Sequence, residues 1–155
     1  VSGLKDYVVV APGAADDRKR WTEEGFRKVI RHLLTHCHKR VVVVGDKRDQ
    51  ALALRILKDV PEGVVDLSGL TDLSELAGVV SRACLAVTND SGIMHLVSYY
   101  NIATVALFGP TDPFLYGPWS SWCSVVRSQE PSMGFISAQD VISAVDKRLE
   151  TVRYR

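Results

Sequence analysis

Short apolar runs and amphipathic stretches alternate along the whole chain. The apolar runs have the β-rich composition of strands that are covered on both faces. They predict strands over residues 7–11, 40–45, 64–67, 84–87 and 104–108, with a candidate sixth strand over 124–126. The stretches between them carry apolar residues at helical spacing, for example at i, i+3, i+4, i+7 and i+8 from Phe26 to Leu34. The pattern therefore predicts strands that alternate with helices.

Residues that favour the start of a helix separate the two patterns. Ser, Thr, Asp and Asn side chains can accept hydrogen bonds from the free N–H groups of a first helical turn. Such residues predict helix starts at Thr22, Asp46, Thr71, residues 89–92 and Ser137.

This alternation predicts an α/β fold, a doubly wound parallel sheet (Rossmann-like) of about six strands with helices on both faces. No linker or repeat divides the chain, so residues 1–155 are expected to form a single domain. In the strand order 3-2-1-4-5-6, strands one and four are neighbours at the point where ligands bind. The polar turns at residues 12–14, 89–92 and 109–113 are therefore expected to meet at the carboxyl edge of the sheet.

The turn at residues 89–92, Asn-Asp-Ser-Gly, lies between the fourth strand and a short helix. A helix that begins there points free N–H groups and the positive end of its dipole at the space above the strand, which suits a phosphate. Ser91 adds a hydroxyl, Gly92 allows close approach, and residues 18–20 (Arg-Lys-Arg) add positive charge. The sequence contains neither G-x-G-x-x-G nor G-x-x-x-x-G-K-[ST], so a dinucleotide fingerprint and a P-loop are unsupported. A diphosphate needs the combination of N–H donors and cations that remains.

Composition narrows the class of partner. The chain has 155 residues, of which 46% are hydrophobic and 24% charged, as in an ordinary globular protein. A net charge of +1 gives no reason to expect nucleic acid as a partner. Cys37, Cys84 and Cys123 lack metal-ligand spacing and predict reduced thiols in a reducing compartment. No signal peptide or transmembrane run is recognisable, and the start at Val1 favours a processed or excised piece of something larger.

Four blocks of sequence, taken together and in order, carry a resemblance. They are PGA and KRW within residues 12–21, DLSGLTDLSELA at 66–77, NDSGIMHL at 89–96 and ALFGPTDP at 106–113. The chain resembles the carboxy-terminal domain of the heptosyltransferases of lipopolysaccharide synthesis, glycosyltransferase family nine. The similarity extends from the first strand to the closing helix, and the third and fourth blocks are specific in combination.

The resemblance implies a GT-B enzyme, in which two Rossmann-like domains face each other and the second holds a nucleotide-sugar donor, typically ADP-heptose. It implies inverting transfer to a lipid-linked or oligosaccharide acceptor, with no metal and no cofactor. The family's acceptor pocket and its proposed catalytic base lie in the amino-terminal domain, which is expected to be missing here. The resemblance therefore implies no catalytic residue in this chain, which should bind donor but transfer little or nothing. The implied location is cytoplasmic, and peripheral at the inner face of the plasma membrane through the missing domain.

The resemblance also assigns roles to individual residues. It implies that Lys19, Ser91 and Gly92 bind the donor diphosphate, with Lys19 neutralising its charge. Asp49 is a loose match to a position that contacts ribose hydroxyls. The residues implied for binding the nucleotide and the sugar are Gly13, Asp49, Asp90, His95, Thr111 and Asp112.

Several of these residues have simpler interpretations. Asp90 and Ser91 could only cap a helix, and His95 could be a histidine satisfied in the core. Lys19 could belong to a solvated charged loop. A hydrolase triad of Asp90, Ser91 and His95 is disfavoured because the nucleophile elbow G-x-S-x-G is absent.

The roles of two further groups of residues stay open. His32, His36 and His38 could hold a metal, but H-E-x-x-H is absent and histidines near a helix C-terminus suit its dipole. The aromatic turn at residues 116–122 could be a sugar-side wall, an inter-domain contact or surface packing. Three classes of function therefore remain: half of a glycosyltransferase, a non-catalytic nucleotide-binding module, or a self-standing hydrolase or oxidoreductase. No residue independently identifies the base or the sugar of a donor.

Overall fold

The computed structural model describes residues 3–118 and 120–153. In this part of the chain six parallel strands form one sheet in the order β3-β2-β1-β4-β5-β6. This arrangement confirms the predicted doubly wound order. The strands are β1 Tyr7–Ala11, β2 Arg40–Val43, β3 Val64–Asp66, β4 Leu85–Asn89, β5 Thr104–Phe108 and β6 Cys123–Arg127.

The helices connect successive strands or close the chain. The α-helices that the structure describes are α1 Glu23–Thr35, α2 Gln50–Leu57, α3 Leu73–Val80, α4 Gly92–Tyr99, α5 Pro113–Tyr116 and α6 Ala138–Arg153. No described helix combines the length and the apolarity that crossing a bilayer requires.

The sheet is buried between two layers of helices. Along β1, Val8 and Val10 pack with apolar residues of α1, α2 and α6, whereas Tyr7, Val9 and Ala11 pack on the side of α3 and α4. Successive side chains of a strand point to opposite faces, and every residue of β1 is buried. Helices on both faces are thus confirmed, and they leave the carboxyl edge of the sheet as the place for polar chemistry.

The start of α3 differs from the prediction, because Asp72 rather than Thr71 caps it. The Asp72 carboxylate accepts the Glu75 N–H at 2.8 Å, and the Glu75 carboxylate accepts the Asp72 N–H at 2.9 Å. This reciprocal capping box requires an acidic residue three positions after the cap, and only Asp72 has Glu75 at that spacing.

The segments around β4 and β5 also differ in detail. β4 continues to Asn89, beyond its predicted end, and Cys84 precedes the strand instead of lying in it. A short helix, α5, forms where only turns were predicted, with Asp112 as its N-cap and Pro113 in its first turn. Proline fits there because the first helical N–H has no partner within the helix. Trp119, part of the aromatic turn, lies outside the described residues.

The capping box of α3 gives a direct test of the fold. We expect Asp72→Ala to lower the free energy of unfolding by about 1 kcal/mol, because the orphan N–H of Glu75 loses its acceptor. Thr71→Ala, the matched control, should change it by less than about 0.5 kcal/mol. Urea denaturation followed by circular dichroism measures both values. Equal losses from the two variants would contradict the capping assignment.

Candidate functional site

Asn89 lies at the end of β4, at the centre of the carboxyl edge of the sheet, and its side chain binds the loop that follows β1. Its side-chain amide donates to the carbonyl oxygens of Pro12 at 2.8 Å and Gly13 at 3.3 Å. Its Oδ1 accepts the backbone N–H of Trp21 at 3.1 Å. Asn89 is fully buried at the end of β4, next to β1 in the sheet. The expected meeting of the loops that follow β1 and β4 is thereby confirmed.

Trp21 anchors the charged loop of residues 16–21 to α1. Its indole N–H donates to the carbonyl oxygen of Ile136 at 3.0 Å, and its ring stands edge-on to Phe26 with centroids 5.1 Å apart. The side chain is only 3% exposed. The loop after β1 is therefore attached both to β4 and to the segment before α6.

A cleft of about 460 Å³ opens at the carboxyl edge beside these loops. It is lined by residues from the loop after β1, the turn after β2, and the first turns of α3 and α4. Four of the nine predicted binding residues line it, namely Gly13, Asp49, Ser91 and Gly92. The cleft lies where a doubly wound sheet places its ligands.

Gly13 lies directly against the Asp49 carboxylate. A Cβ on Gly13 would come within 2.3 Å of Asp49 Oδ2, so the contact, and not an unusual φ, requires glycine. The Asp49 carboxylate also accepts the Asp46 N–H at 3.0 Å and lies 3.6 Å from the Arg20 guanidinium. Asp49 is 7% exposed, and these partners offset the cost of burying its charge.

Ser91 precedes α4 but does not cap it through its side chain. Its hydroxyl is buried and has no hydrogen-bond partner within the described part of the chain, an arrangement that costs free energy. At Gly92 an added Cβ would meet no atom within 4 Å, so the space in front of it is open. The first N–H groups of a helix lack partners within it, and those of α4 begin at this cleft. Ser91 thus occupies the N-cap position of α4 without the side-chain hydrogen bond that the capping interpretation requires.

Lys19 forms an ion pair with Asp90 next to this helix start. Its Nζ lies 2.8 Å from Asp90 Oδ2, and the Thr111 hydroxyl donates to the same oxygen at 2.7 Å. The Tyr116 ring adds a cation–π contact, with its centroid 5.6 Å from Nζ. The Asp90 side chain is 5% exposed and that of Lys19 is 25% exposed. Asp90 is therefore a paired, buried carboxylate rather than a helix cap, and Lys19 is not a freely solvated charge.

Five of the nine predicted binding residues do not line the cleft that the described residues form, namely Lys19, Asp90, His95, Thr111 and Asp112. His95 is exposed on α4, so its interpretation as a core histidine is wrong. Asp112 accepts the Phe114 N–H at 3.0 Å and lies 3.8 Å from Arg127. The Asp112 carboxylate is thus engaged as the N-cap of α5.

The hydrolase interpretation receives no support from this geometry. A triad requires a hydrogen bond between nucleophile and base, yet the Ser91 hydroxyl has no partner among the described residues. Asp90, the third candidate member, is engaged by Lys19 and Thr111.

Some residues of the cleft escaped the sequence analysis. Arg48 lines it, with a guanidinium nitrogen 2.6 Å from the Asp46 carboxylate. One side of the cleft is apolar. Its side chains are Leu73, Leu76, Ile93 and Leu96. Helical spacing shows that such residues share a face, but only the packing of α3 beside α4 turns that face toward the cleft.

The cysteines are all free. Burial raises the pKa of Cys37, Cys84 and Cys123 to about 11, so each thiol is protonated at neutral pH. The thiols contribute no nucleophile to the site.

Comparison with known proteins gives a family match over nearly the whole sequence. The model of glycosyltransferase family 9 (heptosyltransferase) matches residues 2–145. Lipooligosaccharide heptosyltransferase 2 of Haemophilus influenzae is 31% identical over 130 residues, which cover 81% of this chain and 37% of the relative. Lipopolysaccharide heptosyltransferase 3 of Escherichia coli is 29% identical, over 94% of this chain and 47% of the relative. The chain thus spans less than half the length of these relatives.

Solved structures agree with this match. The E. coli ADP-heptose lipopolysaccharide heptosyltransferase II superposes with a TM-score of 0.89 at 25% identity, covering 99% of this chain and 49% of that one. E. coli heptosyltransferase WaaC, solved with ADP, gives a TM-score of 0.84 at 26% identity, with coverages of 93% and 44%. TibC, an iron-containing dodecameric heptosyltransferase, shares the fold at 17% identity and a TM-score of 0.72, with coverages of 96% and 46%.

The contact between Gly13 and Asp49 can be tested by a double-mutant cycle. We expect Gly13→Ala to destabilise the chain by about 1–3 kcal/mol, because the new methyl group displaces a buried carboxylate. In the Asp49→Ala background the same substitution should cost less than about 0.5 kcal/mol. Chemical denaturation of the four proteins gives the coupling energy. Additive losses would show that Gly13 is required for some other reason.

Proposed function

Because the chain belongs to glycosyltransferase family 9, the heptosyltransferase family, we propose that it is the donor-binding domain of a two-domain glycosyltransferase of lipopolysaccharide synthesis. The donor is a nucleotide sugar, and ADP-heptose fits the two solved E. coli relatives, an ADP-heptose heptosyltransferase and a heptosyltransferase in complex with ADP. The observation that carries the proposal is the cleft into which the start of α4 opens, with an unpartnered Ser91 hydroxyl and open space at Gly92.

The start of α4 suits the diphosphate of such a donor. Free N–H groups at Gly92 and Ile93, with the positive end of the helix dipole, provide fixed donors for phosphate oxygens. A change of χ1 at Ser91 would direct its hydroxyl toward the same oxygens, and would thereby supply the partner that it lacks. Glycine at position 92 lets a phosphate approach the backbone without meeting a side chain.

The remaining lining suits a nucleoside. The apolar side formed by α3 and α4 offers a surface on which a flat base can lie. Asp49 lies at the cleft with a carboxylate that can accept hydrogen bonds from ribose hydroxyls. Gly13 leaves room for that carboxylate. We therefore propose that Gly13 and Asp49 act together on the nucleotide.

We assign to Lys19 and its partners the stabilisation of the negative charge that develops on the nucleoside diphosphate during sugar transfer. When the sugar leaves, the nucleoside diphosphate gains negative charge, and a nearby cation stabilises this state more than the ground state. Lys19 would exchange part of its contact with Asp90 for the diphosphate. Asp90, with Thr111 beside it, would then be released toward sugar hydroxyls. Exposed His95 and half-buried Asp112 would complete the sugar side when the other domain is present.

We propose that donor binding needs no metal. Three carboxylates line the cleft, and each already has a partner: Asp46 binds Arg48, Asp49 accepts the N–H of Asp46, and Asp72 accepts that of Glu75. Charge neutralisation would therefore come from the helix start and from cationic side chains.

The partner of this domain is proposed to be the acceptor-binding amino-terminal domain of the same enzyme, which would supply the catalytic base. Phe114 is 94% exposed and Leu115 70% exposed on α5, which follows the carboxyl end of β5. Large exposed apolar side chains in a cluster indicate a protein contact. The acceptor, a lipid-linked or oligosaccharide chain at the cytoplasmic face of the membrane, would bind mainly to that other domain.

Calorimetric titration of the chain tests the donor site. We expect ADP to bind, and Ser91→Ala to weaken binding by roughly 10-fold or more, because one hydrogen bond to a charged phosphate is lost. Ser98→Ala is the matched control: its hydroxyl is also buried in α4 without a partner among the described residues, but it does not line the cleft. Equal effects of the two variants, or binding of NAD in place of ADP and ADP-sugars, would overturn the proposal.

Enzyme kinetics test the role of Lys19 in a protein that carries both domains. We expect Lys19→Ala to lower kcat/KM by roughly 10²-fold, as the loss of a typical electrostatic donor does. Arg18→Ala is the control, because Arg18 is exposed and pairs only with Asp16 in the described structure. Near-normal transfer by Lys19→Ala would exclude the role of Lys19. A two-domain protein that binds donor without any turnover would favour the non-catalytic module.

A further inference from the structure

A second group of chemically reactive side chains lies at the opposite edge of the sheet. α1 begins at the carboxyl edge and ends before β2, so its last turn reaches the amino edge. There His32 Nε2 lies 2.7 Å from Asp146 Oδ1, and the Cys37 thiol donates to the same oxygen at 3.5 Å. The candidate ligand atoms of the three residues all lie within 4.8 Å of one another. The group is therefore a cluster of one nitrogen, one sulfur and one oxygen ligand.

We propose that His32, Cys37 and Asp146 form a binding site for a zinc ion, separate from the donor cleft. Zinc favours a tetrahedral set of imidazole nitrogen, thiolate sulfur and carboxylate oxygen, with ligand bonds of about 2.0–2.3 Å. Ligand atoms in such a set lie roughly 3.3–3.8 Å apart. The observed separations differ from this by about 1 Å at most, and the 45% exposed Asp146 side chain has room to adjust.

An ordinary ion pair accounts for only part of this arrangement. Contact between His32 and Asp146 would suffice to join α1 to α6, but it does not require a thiol on the same carboxylate oxygen. The three groups also line a hollow of about 250 Å³ together with His36 and Glu150. His36 lies four residues after His32, just beyond the end of α1, and Glu150 lies four residues after Asp146 on the same face of α6. A water molecule can complete the fourth position.

Arg153 lines the same hollow, and its positive charge opposes a cation there. The negative charges of Asp146 and of the Cys37 thiolate, with that of Glu150 nearby, outweigh it once the metal has displaced the thiol proton. The proton passes to solvent and the zinc–sulfur bond replaces the S–H bond, so no oxidant or reductant is needed. The metal would link the end of α1 to α6 without touching the donor cleft.

Cobalt spectroscopy on the reduced chain tests this site directly. We expect Co²⁺ to bind with one equivalent and to give a thiolate-to-cobalt charge-transfer absorption that Zn²⁺ abolishes on displacement. Cys37→Ser should remove this absorption. Asp146→Asn should weaken zinc binding by more than about 10–100-fold, which is the usual effect of losing a residue that only hydrogen-bonds to a metal ligand. Cys84→Ser and Cys123→Ser are matched controls that should retain it.

Thermal unfolding supplies a second readout. Zinc at a hundredfold excess over its Kd should raise the Tm of the chain by roughly 5–10 °C and leave that of folded Cys37→Ser unchanged. The proposal is overturned by the absence of a thiolate band, by a band that persists in Cys37→Ser, or by an equal Tm shift in that variant. None of these outcomes depends on donor binding, so the zinc site and the proposed function stand or fall separately.

Discussion

One buried amide, that of Asn89, determines the shape of the carboxyl edge. Its amide nitrogen and oxygen bind three backbone groups of the loop after β1: the carbonyl oxygens of Pro12 and Gly13 and the N–H of Trp21. Without it these groups would lie buried and unpaired, at a cost of about 1–3 kcal/mol each. The backbone that leaves Asn89 leads directly to Asp90, Ser91 and the start of α4. The Asn89 side chain therefore holds the loop after β1 beside the start of α4, and the proposed diphosphate would lie between these two segments.

The charges of the site are satisfied before any ligand arrives. Lys19 is paired with Asp90, and Asp49 with a backbone N–H and Arg20. In the proposed donor site, a ligand phosphate would have to compete with a carboxylate for Lys19, and the net gain would be the difference between the two contacts. A diphosphate, with more charge than a carboxylate, would gain from this proposed exchange, whereas a weakly charged ligand would not. The pairing would thus contribute to the selectivity of the proposed site.

The fold could be predicted from sequence because its signals are local and consistent. The apolar runs specify buried strands, and the alternation with helices restricts the topology to a parallel sheet whose order the structure confirms. Of the site, the convergence of the loops followed from that topology. The pairing of Lys19 with Asp90 did not, because residues 71 positions apart carry no local signal of contact. The same holds for the apolar side of the cleft and for the cluster of His32, Cys37 and Asp146, each of which depends on how two helices pack. Asp72 could have been found, since Glu75 at the capping-box spacing distinguishes it from Thr71.

The contact of Gly13 with the Asp49 carboxylate also limits the order in which the site can change over evolutionary time. A lineage that first acquires a side chain at position 13 passes through a strained protein. One that first shortens position 49 opens space, and a larger residue at position 13 then becomes harmless. As far as this steric contact decides, the path through Asp49 is open and the reverse path is obstructed, so the contact favours one order of change at this pair.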